Sequence, residues 1–163
     1  MEKLILRPIR QEEIPEAAAL IRRVMLEVNS RDYRYEYLME YVRRYGPEEL
    51  AALVNAPGCR FYVACLGPEL AGCGGLAPSK NRPGALEVRS VYVRPDLEGK
   101  GIGRAIIKTL EADPLCRTAD RLVVSASLTA RGFYKRLGYD DENGICCLEY
   151  DDHYWMERVP GRG

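Results

Sequence analysis

The sequence is poor in metal-binding residues and has no excess of either charge. Its 163 residues include one histidine, His153, and its six cysteines form no C-x-x-C pair. Because zinc sites are built from clustered cysteines and histidines, no metal is expected. Lysine plus arginine number 24 and aspartate plus glutamate also number 24. A chain without net charge lacks the basic excess typical of nucleic-acid-binding domains, so no nucleic-acid partner is expected.

Long apolar runs are missing as well. The apolar run within residues 1–8 is too short for a signal peptide, and no later run has the length of a membrane span. We therefore expect a cytoplasmic protein with no membrane partner. A length of 163 residues, 47% of them hydrophobic, suits one domain with one core, and we expect that domain to be 1–163.

The hydrophobic pattern predicts a mixture of helices and strands. Helices are expected over 12–28, 35–45, 48–54, 101–112 and 129–137, and strands over 3–9, 60–66, 70–77, 85–94, 122–125, 144–150 and 153–159. This order predicts an α/β fold, a mixed sheet covered by helices on its faces. Within strand 85–94 the apolar phase flips near Ser90, which indicates a β-bulge.

A glycine-rich loop follows that strand and leads into the helix 101–112. Glycines let a backbone approach a ligand closely, and the unpaired N–H groups of a helix start bind anions. The loop is therefore a candidate cradle for a diphosphate, with a loop that binds no ligand as the alternative. The spacing G-x-G-x-G fits neither the dinucleotide fingerprint nor the ATP-type P-loop. The candidate residues are Glu98, Gly99, Lys100, Gly101, Ile102, Gly103 and Arg104.

The loop resembles a signature of the acetyl-CoA-dependent N-acetyltransferases of the GNAT superfamily. Their pyrophosphate motif is Q/R-x-x-G-x-G/A, and Glu98 departs from it where Gln or Arg is usual. Residues 130–139 are similar to the family's A-x-x-x-Y-x-x-x-G-F/Y helix. Two motifs in the family's order are more specific than either alone. The resemblance implies a GNAT-like, mostly antiparallel sheet flanked by helices, with a bulged fourth strand.

The resemblance also implies a reaction, the transfer of an acetyl group from acetyl-CoA to an amine by direct attack. An alkyl amine has a pKa near ~10, so a base must remove a proton first. The family position makes Glu87 the candidate base, with an exposed strand glutamate as the alternative. Tyr134, in the helix motif, would protonate the departing thiolate, with a packing tyrosine as the alternative. A non-catalytic acetyl-CoA sensor is the alternative function.

Further cofactor contacts follow from the same resemblance. Pantetheine would enter between the splayed fourth and fifth strands and pair with the backbone of Val91 and Val93. A backbone N–H beside Tyr92 or Val93 would polarise the thioester carbonyl. Ser127 or Thr129 would replace an asparagine that contacts the cofactor in the family, or would instead cap the following helix.

The sequence predicts only the chemical class of the acceptor, a small-molecule or peptide amine. Tyr37, Tyr41 and Tyr45 recur every four residues and would share one helix face. In the family that the sequence resembles, this region lines the acceptor site, where aromatic faces would bind an amine. RNA binding by the tyrosines and neighbouring arginines, or plain packing on the sheet, are the alternatives. The oligomeric state is open, with a homodimer as one alternative.

Overall fold

The structure is a computed structural model that describes residues 2–31, 33–146, 148–149 and 153–159. Its α-helices are α1 (Ile14–Glu27), α2 (Tyr35–Arg44), α3 (Pro47–Asn55), α4 (Ile102–Ala112) and α5 (Arg131–Arg136). Its strands are β1 (Leu4–Pro8), β2 (Arg60–Leu66), β3 (Glu69–Pro78), β4 (Leu86–Val93), β5 (Leu122–Ser127), β6 (Asp140–Asp141), β7 (Leu148–Glu149) and β8 (His153–Arg158). No helix within these ranges combines the length and the apolar character needed to cross a membrane.

The strands form one mixed sheet in the order β1-β2-β3-β4-β5-β8-β6, with β7 also paired to β8. Neighbouring strands are antiparallel except β4 and β5, which run parallel. Helix α4 packs on one face of the sheet and helices α1 to α3 pack on the other, so the sheet is flanked by helices. The predicted α/β fold, mostly antiparallel with flanking helices, is confirmed.

The two faces of the sheet bury separate hydrophobic clusters. On one face, Ile106 and Leu110 of α4 pack against strand residues that include Val88 and Val124. On the other face, helices α1 to α3 cover β2 and β3, with Ile21 of α1 among the residues that contact this part of the sheet. Full burial of one such aliphatic side chain contributes roughly 1.5–3 kcal/mol, so the helices are held on the sheet mainly by apolar burial.

The bulge expected in β4 is confirmed. The register between β3 and β4 shifts between Cys73, which pairs with Tyr92, and Gly75, which pairs with Arg89. Gly74 is therefore opposed by two residues of β4, and one of these, Ser90, has a left-handed φ of 56°. A residue inserted in this way bends the strand and increases its twist.

Three predicted elements differ from the structure. The expected helix 12–28 opens with a 3-10 turn and becomes α-helical only at Ile14, with Pro15 in its first turn. Within the expected strand 144–150, only 148–149 is a strand, residues 145–146 have no regular structure, and residues 147 and 150 lie outside the described part of the chain. The expected helix 129–137 is α-helical only over 131–136.

The capping alternative for Ser127 and Thr129 is wrong. The N-cap of α5 is Ala130, and no side chain caps this helix. The turn before the helix is closed by the backbone, where the Ala130 N–H donates to the Ser127 carbonyl at 3.1 Å. Gly138, with φ of 93°, follows the helix as expected of a glycine stop.

Candidate active site

A cleft opens where the parallel strands β4 and β5 part. Their pairing runs from Leu86 with Leu122 to Val88 with Val124 and goes no further. Beyond it, β4 continues through the bulge and β5 continues along β8, so backbone groups of both strands lose their neighbour on this side. The resulting cleft has a volume of about 760 Å³. This is the splay that the resemblance implied for the fourth and fifth strands.

The glycine loop borders one end of this cleft. Gly99 and Gly101 have left-handed φ values of 77° and 82°, which glycine adopts without the steric cost of a Cβ. Gly101 is the N-cap of α4, and its carbonyl accepts the first helical hydrogen bond, from Ala105 N–H at 3.0 Å. The first N–H groups of α4 therefore have no acceptor inside the helix, and they form a partial positive charge at the cleft.

Gly103 is required for packing rather than for an unusual backbone angle. A Cβ built on Gly103 would lie 3.2 Å from Cζ of Phe133, which is tighter than an ordinary carbon contact. The missing side chain lets the first turn of α4 approach α5. Both helix starts therefore border the same cleft.

Tyr134 lies in α5 and lines the cleft. It is 6% exposed, and its ring contacts the rings of Phe133 and Tyr139 at centroid distances of 5.1 and 5.5 Å. Burial raises the pKa of the Tyr134 phenol, because a phenolate would be poorly solvated there. The hydroxyl therefore stays protonated at neutral pH.

The cleft brings together all but one of the predicted cofactor residues. Lys100 is the exception: it is exposed and is not part of the lining. The sequence did not single out Arg31, Phe133 or Arg136, which also line the cleft. The predicted residues found in the lining are Val91, Tyr92, Val93, Glu98, Gly99, Gly101, Ile102, Gly103, Arg104, Ser127 and Thr129.

A second, smaller cavity of about 380 Å³ adjoins the cleft. The two spaces share lining residues at the bulge and at the end of β5, including Ser90, Tyr92, Ser125 and Ser127. The remainder of the second cavity is lined by residues of α1, α2, β4 and β8 and by Tyr33, Tyr45 and Asn81, which lie outside these elements. Two spaces that meet at a strand bulge can hold two ligands in contact.

Glu87 lines the second cavity and not the cleft. Its Oε1 accepts a hydrogen bond from the Ser79 hydroxyl at 3.2 Å, and its Oε2 lies 3.5 Å from Nε of Arg89. The side chain is 16% exposed. Glu87 and Tyr134, the predicted base and acid, thus belong to different spaces that meet at the bulge.

Tyrosines of α2 form an aromatic wall of the second cavity. The rings of Tyr37 and Tyr41 are tilted by 50° with centroids 5.2 Å apart, and the Tyr33 ring lies 5.9 Å from that of Tyr37. Tyr45 meets Tyr92 edge-on at 6.4 Å, and its hydroxyl is 3.3 Å from the Ser90 hydroxyl. Because Tyr37 and Tyr41 are 39% and 41% exposed, plain packing on the sheet does not describe them. The expected shared helix face holds for Tyr37 and Tyr41, whereas Tyr45 follows the end of α2 with a non-helical backbone; all three line the second cavity.

Several residues of the second cavity were not predicted from the sequence. They include Arg89, His153 and Trp155. Arg89 follows Glu87 by two positions on one strand, a spacing that places both on the same face and was available as a signal. His153 and Trp155 join the site only through the pairing of β8 with β5, which the sequence pattern did not specify.

Comparison with known proteins agrees with this geometry. A sequence model described as the acetyltransferase (GNAT) family matches residues 22–139. The chain belongs to this family, and it is an enzyme of the acyltransferase class. A search of curated proteins gave no match.

Solved structures show the same fold at low sequence identity. One is the PaiA N-acetyltransferase from Thermoplasma acidophilum in complex with coenzyme A, with a TM-score of 0.79 and 16% identity over 96% of this chain and 99% of that one. Another is a GCN5-related N-acetyltransferase from Rhodopseudomonas palustris, with a TM-score of 0.77 and 23% identity over 98% and 97% of the two chains. A third is the N-acetylglutamate synthase from Neisseria gonorrhoeae complexed with coenzyme A and L-arginine, with a TM-score of 0.62 and 18% identity over 99% of this chain and 34% of that one.

Proposed function

We propose that this enzyme transfers the acetyl group of acetyl-CoA directly to an amine bound in the second cavity. The observation that carries this function is the junction of the cleft and the second cavity at the β4 bulge. A direct transfer requires both substrates to be bound at once with their reacting atoms in contact, and adjoining spaces meet that requirement. We take residues 1–163 to form one N-acetyltransferase domain.

Acetyl-CoA would occupy the cleft. Its diphosphate would accept hydrogen bonds from the first N–H groups of α4, beside Gly101 and Gly103, where the helix dipole favours an anion. Its pantetheine arm would pair with the backbone of Val91 and Val93, as an added strand beside β4. A backbone N–H at Tyr92 or Val93 would stabilise the developing charge on the thioester oxygen. The coenzyme A in the Thermoplasma structure supports this assignment.

The chemistry would use one proton acceptor and one proton donor. Glu87, directly or through a water molecule, removes a proton from the ammonium group, and the neutral nitrogen attacks the thioester carbonyl carbon. The C–N bond forms and the C–S bond breaks. Tyr134 gives its proton to the departing sulfur and recovers one as the attacking nitrogen loses its second proton. The products are the amide, CoA as the thiol, and one proton released from Glu87 to solvent.

A panel of amines with acetyl-CoA tests this function, with the appearance of free thiol as the readout. We expect acceptor-dependent thiol release, and mass spectrometry of the acceptor should show one added acetyl group. Glu87→Gln should lower turnover at neutral pH by about ten-fold or more, because it removes the base but keeps a similar shape. Tight CoA binding without turnover on any amine would contradict catalysis and favour the acetyl-CoA sensor.

A further inference from the structure

The floor of the second cavity carries a pair of opposite charges. Glu87 pairs in register with Val123 of β5, so Glu87 and Arg89 lie on the same face of the sheet as Ser125. Ser125 pairs with Trp155 of β8, which extends this face to a third strand. The sheet thus presents a carboxylate, a guanidinium and a hydroxyl side by side beneath the tyrosines of α2.

Arg89 is only partly used within the protein. Among the described residues it makes one ion pair, with Glu87, whose Oε2 lies 3.5 Å from its Nε, and its side chain donates no hydrogen bond. Its side chain is 40% exposed. The guanidinium presents a planar fork of donors that matches the two oxygens of a carboxylate. An arginine that lines a cavity and donates no hydrogen bond to the described residues is suited to bind a carboxylate ligand.

The rest of the cavity is aromatic and small. Tyr37, Tyr41 and Tyr45 line it from α2 and the turn after it, and Trp155 lines it from β8. The guanidinium of Arg82 lies 4.2 Å from the centroid of the Trp155 ring. A volume of about 380 Å³ is near the lower end of the range of small-molecule sites. These dimensions favour a small, partly apolar acceptor over the surface of a folded protein.

We propose that the amine acceptor is a free α-amino acid with an aromatic or large apolar side chain. Its ammonium would face Glu87, its carboxylate would bind Arg89, and its side chain would contact the tyrosines. In an α-amino acid the nitrogen and the carboxyl carbon are about 2.5 Å apart. This spacing would let the two charged groups of one ligand contact Glu87 and Arg89, whose nearest side-chain atoms are 3.5 Å apart. The acetylation of this ligand rests on the function proposed above, but its binding does not.

Other classes of amine fit these charges less well. A polyamine carries repeated positive charges, whereas Glu87 is the sole carboxylate in the lining among the described residues. The α-amino group at a peptide N-terminus, and the amino group of a simple arylalkylamine, have no adjacent carboxylate for Arg89. Arg89 would therefore select for the free amino acid.

Calorimetry on the full chain saturated with CoA tests the assignment without turnover. The probes are L-phenylalanine, L-phenylalaninamide and 2-phenylethylamine, which share the ring and the amine but differ in the carboxylate. We expect L-phenylalanine to bind about ten- to a hundred-fold more tightly than the other two, since only its carboxylate would form charge-assisted hydrogen bonds with Arg89. Arg89→Gln should reduce this preference to near one, and Arg89→Lys should retain part of it. Arg117→Gln, at an exposed arginine outside both cavities, should leave it unchanged.

The outcomes separate this assignment from the proposed function. Equal affinities for the three probes, a preference that survives Arg89→Gln, or the absence of binding would overturn the amino-acid assignment. Acetylation of 2-phenylethylamine as efficiently as L-phenylalanine would also overturn it, while leaving acetyl transfer in place. Carboxylate-dependent binding of L-phenylalanine, with no acetylation of any amine, would support the ligand assignment and contradict the proposed function.

Discussion

The two residues proposed for proton transfer have opposite environments. Tyr134 lies among aromatic rings, and burial keeps its phenol in the protonated form. Glu87 accepts a hydrogen bond from the Ser79 hydroxyl and lies beside the guanidinium of Arg89. The proposed roles rest instead on position, because Tyr134 lines the cleft and Glu87 lines the second cavity that adjoins it.

Tyr134→Phe is expected to slow turnover about ten- to a thousand-fold, because it removes the proton donor for the departing sulfur but keeps the ring. CoA affinity should change little, since packing against Phe133 and Tyr139 is preserved. Steady-state kinetics and calorimetry measure the two effects separately. Tyr139→Phe is the matched control: its hydroxyl donates to Glu111 at 3.0 Å, away from the cleft, so turnover should persist. Wild-type turnover in Tyr134→Phe would exclude this role.

At the scale of elements, the loop before α4 combines left-handed glycines with the proposed diphosphate site. Gly101→Ala is expected to weaken CoA binding about ten-fold or more, because the left-handed backbone at φ 82° is unfavourable for alanine and the helix start would shift. Gly144 offers a control, since it has a φ of 74° and, like Gly101, open space where an added Cβ would lie.

Gly101→Ala and Gly144→Ala should each lower the free energy of unfolding by about 1–2 kcal/mol, but only Gly101→Ala should weaken CoA binding. Thermal unfolding of both variants measures the loss of stability from the strained backbone, and calorimetry measures the separate effect on CoA affinity. A Gly101→Ala protein that binds CoA as tightly as the wild type would contradict the diphosphate assignment.

The β4 bulge is the element that joins the two cavities. Ser90 adopts a left-handed φ of 56°, a conformation that is especially unfavourable for β-branched residues. We expect Ser90→Val to be less stable than Ser90→Gly by about 1–2 kcal/mol, because glycine adopts this conformation without a steric cost. Urea denaturation of the two variants measures the difference. Equal stability would mean that the bulge relaxes to an ordinary strand when its residue changes.

At the scale of the whole molecule, the sequence was most informative where elements are long or carry glycine signals. Strand 60–66 was predicted with its observed bounds, and the phase flip at Ser90 correctly indicated the bulge. The two-residue strand β6 was missed, because pairing with β8 defines it and no periodicity can develop over two residues. Strand β8 also brings Trp155 into the second cavity. Local patterns therefore predicted the cleft better than the second cavity, which depends on long-range register.

Acid stability should depend on an ion pair that joins the first strand to the first helical turn. Arg7 of β1 donates to both carboxylate oxygens of Glu13, at 2.7 and 2.8 Å, and Glu13 also accepts from the Arg10 N–H at 2.9 Å. The hydrogen bond from Arg7 is the main reason that the pKa of Glu13 is lowered from 4.5 to about 2. A carboxyl whose folded pKa is depressed stabilises the fold above its unfolded pKa, and this contribution disappears as pH falls through the folded value.

Glu13→Gln should therefore cost about 1–2 kcal/mol of unfolding free energy at pH 7, where the charged hydrogen bonds are intact. The difference between wild type and variant should shrink as pH falls from about 4.5 to 2, because the wild-type carboxylate becomes protonated over that window. Glu27→Gln is the matched control: its pair with Arg23 is about half exposed and should contribute less than about 0.5 kcal/mol. Urea denaturation at a series of pH values measures all three proteins. A gap between wild type and Glu13→Gln that stays constant from pH 7 to pH 2 would show that lost packing, and not the depressed pKa, is responsible.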